Sequence, residues 1–264
     1  MSESNVADVV VIEDVAAELA ADTVIVRLNR PHKRNALSSE LKQELAKTAR
    51  ALAERTDIGA IILAGAGGVF CAGNDIGEPD SFAQGLPLAE ARRHIRLGLE
   101  MCRAWEALPQ LTIAAVDRFA IGGGISLALS CDFRILQTDA WLRAPEVELG
   151  ITYSWGTLPR LARLVGPARA KLIAGLCRRV DATSALDWGL CEDVTDDTLA
   201  AALAMAAEIT DKPRVAQQMV KESVNRLFAG PDTATLEQDQ VLLNMTDPDA
   251  HARQADILDR LRGD

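Results

Sequence analysis

The runs Ala-Ile-Ile-Leu-Ala at residues 60–64 and Leu-Thr-Ile-Ala-Ala-Val at residues 111–116 are apolar almost throughout, the pattern of buried strands. Around them the apolar period changes to helical spacing. From Ser39 onward Leu41, Leu45, Thr48/Ala49 and Leu52 recur on one face, with Ser38 or Ser39 as cap and Glu40 in the first turn, where the helix dipole favours it. A long helix is predicted over residues 88–107, and residues 158–176 read as largely helical. Residues 9–12 and 23–28 are β-rich runs on either side of residues 13–22, consistent with an opening hairpin. The triplet Gly122-Gly123-Gly124 opens a helix to about Ser130, and residues 132–136 return as a strand. Strands alternating with helices imply an α/β core.

Strand signals fade after about Val194, and residues 199–209, 213–228, 233–245 and 250–261 are helical patterns parted by proline-containing breaks. The expected organisation is a core over residues 1–195 and a helical region over residues 196–264. With 264 residues, 48% of them hydrophobic, the chain can form one large domain, or one core plus an appendage.

The 28 basic and 38 acidic residues leave a net charge of −10, so a nucleic-acid groove would oppose the molecule's own field and any anionic ligand must find a local positive spot. Cys71, Cys102, Cys131, Cys177 and Cys191 are odd in number, scattered and without a CxxC pair, which argues for a reducing, cytoplasmic home and against a disulfide framework or thiolate zinc site. His32, His94 and His251 lack metal-binding spacing, and His32 and His94 read as surface residues. The acidic start has no signal-peptide pattern, and the longest apolar stretches, such as residues 119–129, fall short of the ~18–20 residues that span a bilayer. No metal, nucleic-acid partner or membrane is expected.

Two glycine clusters invite a nucleotide reading, but the third glycine of a dinucleotide fingerprint is replaced by Phe70 in one and by Leu127 in the other. Gly124-Ile125-Ser126-Leu127-Ala128 approximates a nucleophile elbow after a strand, yet no histidine has a setting that marks it as partner to Ser126. Pro145-Glu146-Val147-Glu148, read as extended, points its carboxylates in opposite directions, so at most one faces any given pocket.

Together these pieces are specific. Asn29-Arg30-Pro31, then Arg34-Asn35-Ala36-Leu37-Ser38, then Gly65-Ala66-Gly67-Gly68-Val69-Phe70-Cys71-Ala72-Gly73-Asn74-Asp75-Ile76, then Gly122-Gly123-Gly124 and Pro145-Glu146-x-x-Leu149-Gly150 stand in an order and spacing that resembles the crotonase superfamily of enoyl-CoA hydratases and isomerases. The resemblance runs from about residue 8 to 260. It implies an α/β fold, a crotonase-like spiral of ββα turns forming two nearly perpendicular sheets. C-terminal helices would then build a homotrimer or homohexamer. It further implies an acyl-CoA thioester as ligand, with coenzyme A as part of the substrate and no separate cofactor, and a place in fatty acid metabolism.

By the same resemblance, the thioester carbonyl is held by the backbone N–H groups of Asn74 and Gly123, an oxyanion hole for the enolate that forms when a proton leaves the α carbon. Of the two glutamates that hydratases of the superfamily use, one maps to Glu146 and the other to Ser126, a hydroxyl that cannot serve as a base at neutral pH without an activator. Contacts to acyl-CoA fall to Arg34, beside Lys33, and to Ala36, Ala72, Asp75 and Ile76. Tyr153 stands in a turn, Tyr153-Ser154-Trp155-Gly156-Thr157, that is glycine-rich in relatives, so bulky aromatics are expected to reshape the acyl pocket there. Tyr153 can give a phenol hydrogen bond or simply pack. Gly77 replaces a lysine common after the Asp-Ile pair. The expected activity is double-bond isomerisation of an enoyl-CoA with Glu146 as single acid/base. The alternatives are enoyl-CoA hydration, a catalytically weak acyl-CoA-binding role and thioester hydrolysis.

Overall fold

A computed structural model of the protein describes residues 10–15, 20–78 and 85–228. The helical patterns at residues 233–245 and 250–261, and His251, lie outside the described residues. The opening hairpin forms from β1 (Val10–Asp14) and β2 (Thr23–Leu28), and is followed by a 3-10 turn at Pro31–Lys33. Then come α1 (Ser39–Ala53), β3 (Ala60–Gly65), α2 (Leu88–Glu106), β4 (Leu111–Val116), β5 (Phe119–Ile121), α3 (Gly123–Ala128), β6 (Phe133–Gln137) and β7 (Trp141–Arg143). After these follow α4 (Thr157–Ala174), β8 (Val180–Asp181), α5 (Ala182–Asp187), β9 (Asp193–Thr195), α6 (Thr198–Thr210) and α7 (Arg214–Leu227). Ser38 is the cap of α1, its Oγ accepting from the Leu41 amide at 3.1 Å.

Six strands form one sheet in the order β1-β2-β3-β4-β6-β9, parallel except at the β1 edge. Because side chains alternate along a strand, two rows separate cleanly. Val26, Leu63 and Ala114, paired across the strands, face α1 and α2, where Leu41, Leu45, Met101 and Trp105 complete the larger core. Ile25, Ile62 and Ile113 point the other way, onto Ala202, Ala206 and Ile209 of α6. Apolar runs with no alternation are what strands covered on both faces require. Residue 195 is the last of β9, and α6, just beyond it, packs on the face of the sheet formed by β3, β4 and β6. No helix among the described residues is long and apolar enough to cross a membrane.

A second, three-stranded sheet, β5-β7-β8, lies outside what periodicity revealed, because strands of two or three residues are too short to show a period. Residues 119–129 divide at Gly122 into β5 and α3. Strand β4 of the large sheet leads to β5 and β6 leads to β7, and after β3 the bridge Cys71↔Ala120 adds one more rung, giving the turn-by-turn spiral. Two segments differ from expectation. Residues 146–150 form turns, with the Leu149 amide donating to Pro145 O, instead of an extended run. Helix α4 is broken where Gly166, at φ 76°, precedes Pro167.

The first motif is a clasp. Arg34 and Asn35 both take left-handed backbone, at φ 49° and 56°, which turns the chain under the loop after β3. Asn35 is fully buried, its Oδ1 accepts from the Arg30 amide at 2.9 Å, and its Nδ2 donates to Ala66 O at 2.9 Å and Val69 O at 2.7 Å. Replacing Asn35 with Ala orphans three buried backbone groups, and the expected loss is about 2–3 kcal/mol of unfolding free energy, read from urea denaturation.

Candidate active site

A cleft of about 590 Å³ opens where the loops after β3, β5 and β7 meet the start of α4. Its closest point is backbone on backbone. Gly73, at φ 91°, passes so near the end of β5 that a Cβ there would stand 2.6 Å from Ile121 O and 3.5 Å from the Gly123 nitrogen. Glycine is the residue that fits this approach. Asn74 follows directly, held by the parallel bridge Leu37↔Asn74, and Gly123 is the first residue of α3. Asn74 and Gly123, the residues whose amides the resemblance names, therefore both line the cleft beside this contact.

Glu146 reaches the same point from the turn after β7. A Cβ on Gly122, itself at φ 51°, would lie 3.0 Å from Glu146 Oε1, so the carboxyl rests against the backbone that leads into Gly123. Glu146 as a residue is half-buried, but its Oε2 is shut off from solvent and has no hydrogen-bond partner among the described residues. Burial pushes the carboxyl up to about 7, against a smaller downward pull from its own backbone amide and the Tyr153 hydroxyl. Tyr153 is buried, with its hydroxyl 3.1 Å from Ala144 O and 3.0 Å from Ala174 O, so one phenol proton serves several acceptors and ties the Glu146 turn to α4. Glu148 is turned away, paired with Arg143 at 2.7 Å, and does not line the cleft.

Ser126 lies one turn into α3, buried, with Oγ 2.6 Å from Thr157 Oγ1 and 3.4 Å from Gly122 O. Neither partner is a base. A hydroxyl so placed is a poor nucleophile and a poor general base.

The mouth of the cleft carries His32, Lys33 and Arg34, all exposed, so that two cations stand at the rim of an acidic chain. Ala36, Ala72 and Ile76 line the same wall. The Ala72 amide donates to Arg34 O at 3.0 Å, and Arg30 donates to Ala36 O at 2.5 Å. Asp75 also lines the cleft, but its carboxylate is spent on the frame, with Arg30 at 2.8 Å on one oxygen and the Gly77 amide at 3.1 Å on the other.

Among the cleft residues that the sequence does not single out as ligands, three stand out. His94, expected at the surface, is half-buried on α2 and lines the cleft. Trp155, expected to reshape the pocket, is wedged between α2 and α3, where a Cβ on Gly98 or Gly123 would fall 1.9 or 2.2 Å from its indole. Lys42 is 2% exposed on the core-facing stripe of α1, and its Nζ donates to Asn74 Oδ1 at 3.0 Å. The one signal for it was a lysine three residues before Leu45 and four before Ala46, at a spacing that belongs to the core.

The family model described as enoyl-CoA hydratase/isomerase matches residues 18–257. Among curated relatives, the short-chain-enoyl-CoA hydratase of Clostridium acetobutylicum is 35% identical over 218 residues, 81% of this chain and 82% of that protein. The crotonyl-CoA hydratase of Syntrophomonas wolfei is 35% identical over 216 residues, with 81% and 82% covered. Among solved structures, the enoyl-CoA hydratase of Bacillus anthracis superposes with a TM-score of 0.77 at 30% identity, over 89% of this chain and 90% of that one. An enoyl-CoA hydratase/isomerase from Mycobacterium paratuberculosis gives 0.83 at 25% identity, over 94% and 98%. This chain belongs to the enoyl-CoA hydratase/isomerase family, within the crotonase superfamily, whose members act on acyl-CoA thioesters.

Proposed function

We propose that the protein moves a carbon–carbon double bond along an enoyl-CoA, with Glu146 as the single acid/base. The observation that carries this reading is that Glu146, its Oε2 unpartnered among the described residues, sits against Gly122 while the second glutamate position holds Ser126, bonded to Thr157. The Glu146 carboxylate takes a proton from C2 of a 3-enoyl-CoA, the electron pair spreads onto the thioester oxygen as a dienolate, and the resulting carboxylic acid returns the proton at C4, leaving the 2-enoyl isomer. The Asn74 and Gly123 amides receive the developing oxyanion, at roughly 3 kcal/mol of barrier per well-aimed donor. His32, Lys33 and Arg34 at the mouth suit the phosphates of coenzyme A. The five free cysteines, all buried, fit a cytoplasmic setting. The exposed Val215, Met219, Val220 and Val224 on α7 fit assembly into a homotrimer or homohexamer.

Hydration is the second reading, favoured by relatives at 35% identity that are named as hydratases. It needs a base for water, and Glu148 faces Arg143 outside the cleft. Incubation with a 3-enoyl-CoA and a 2-enoyl-CoA in D₂O, followed by mass spectrometry, separates the two. Isomerised product deuterated at C2 or C4 is expected, and a 3-hydroxyacyl product would put hydration in its place. Glu146→Gln is expected to lower turnover by about 10²–10⁴-fold with acyl-CoA binding retained; unchanged turnover removes Glu146 from the mechanism.

The base must be ionised, so kcat/KM should rise about tenfold per pH unit and level off above about pH 7, where Glu146 titrates in the free protein. The same shift opposes folding. A carboxyl raised from 4.5 to about 7 binds its proton more tightly when folded, so its penalty is absent below about pH 4.5, grows to pH 7 and stays constant above. Glu146→Gln should therefore stabilise the fold by about 2–3 kcal/mol near pH 8, and the gain should vanish near pH 4 in urea titrations.

A further inference from the structure

An ammonium inside a protein is tolerated when it is paired, because burial removes its hydration. Lys42 is 2% exposed and lines the cleft, yet among the described residues it donates a hydrogen bond to Asn74 Oδ1 alone. The other contact is the face of Trp155, whose ring centroid is 5.5 Å away. The carboxylates whose charge reaches it, Glu78 and Asp75, are committed elsewhere. Glu78 accepts from the Ser39 amide and hydroxyl at 3.0–3.1 Å, and Asp75 holds Arg30 and the Gly77 amide. An ammonium has three donors, so two remain for whatever enters the cleft. Burial brings Lys42 down to about 8, with Glu78 and then Asp75 opposing, which leaves it mainly cationic at neutral pH.

Its depth indicates which part of a ligand it meets. The phosphates of coenzyme A have the exposed cations Lys33 and Arg34, beside His32, at the mouth. Lys42 is interior, attached to the side chain of the residue whose amide is assigned to the thioester oxygen and stacked over the indole that packs on Gly123. A group meeting it would be attached to the acyl chain a few carbons from the carbonyl. A simple alkyl chain would leave two ammonium donors dry and unpaired, whereas a carboxylate accepts both.

We infer that Lys42 is a specificity-determining residue that binds a carboxylate on the acyl group, so that the preferred substrates are thioesters of short dicarboxylic acids. This rests on the acyl-CoA reading of the cleft, and it does not depend on which reaction follows. Saturated probes test it without turnover. Isothermal titration of the whole protein with glutaryl-CoA and with pentanoyl-CoA compares chains of equal length that differ in the terminal carboxylate. Glutaryl-CoA is expected to bind about tenfold to a hundredfold more tightly, and Lys42→Met should erase that advantage while leaving pentanoyl-CoA binding equal or tighter. Equal affinity of the unaltered protein for both probes overturns the assignment of Lys42, whatever the variant does, and leaves the isomerase reading intact. A preference that survives in Lys42→Met also overturns it. Failure to bind either ester overturns both the assignment and the acyl-CoA reading.

Discussion

The loop after β3 and the turn after β5 lie backbone against backbone, so close that a Cβ on Gly73 would stand 2.6 Å from Ile121 O and one on Gly124 2.8 Å from Cys71 O. Two backbone bonds hold the crossing, from the Cys71 amide to Phe119 O at 3.3 Å and from the Ile121 amide to Cys71 O at 3.1 Å. In the proposed reading, this rung holds the Asn74 and Gly123 amides ready for the thioester oxygen before any ligand arrives. Donors that need not reorganise during the reaction are worth most, because their orientation has already been fixed by folding. The contact exists because the strands from β2 onward run parallel and end on the same side, where the chain after β3, β4 and β6 goes on to Cys71, β5 and β7. Clasped by Asn35 from below and Trp155 from the side, the site is built on elements with little room to move.

Glu146 shows the opposite economy. A carboxyl shut off from water, with one oxygen unpartnered, destabilises the fold when ionised, and the large core on both sides of the sheet has to offset it. The return is a carboxyl whose proton affinity lies near neutrality, the range in which one group is best able both to take and to give a proton. Tyr153 restrains this effect, since its hydroxyl pulls the carboxyl down while anchoring the turn to Ala144 and Ala174. Phenol and packing are thus one role at this position.

Much of this was legible in the residues. The buried strands, the Ser38 cap and the helices α1, α2 and α6 are carried by local patterns, where apolar period and capping chemistry agree with the tertiary result. The four motifs also converge on one cleft, although they are dispersed over more than a hundred residues. What local pattern could not carry is pairing at long range. Strands β5, β7 and β8 are defined by neighbours, and the turn at residues 146–150 is set by hydrogen bonds to Pro145 and Glu146 carbonyls that no apolar period encodes. Lys42 was hidden for a related reason. In sequence it is one charge on a helix rich in charge, and its meaning comes from the contact with Asn74, thirty-two positions away.

Cation placement then constrains the orientation of a ligand in the cleft. The chain as a whole is acidic, so an anion is repelled at a distance and attracted only within reach of the few cations that face the cleft. Those cations form two sets at different depths: Lys33 and Arg34 at the exposed rim, and the buried Lys42. Apolar Ile95, Ile121 and Leu149 also line the cleft and suit the uncharged middle of a ligand. On the proposed reading, a molecule anionic at both ends and thioester-like between them would satisfy both sets at once, with its carbonyl at Gly123 and its α carbon toward Glu146. A ligand charged at one end only would meet the rim and leave the deep ammonium unsatisfied, so on this proposal selection acts on the acyl end, where the chemistry happens, and not on the coenzyme common to all substrates.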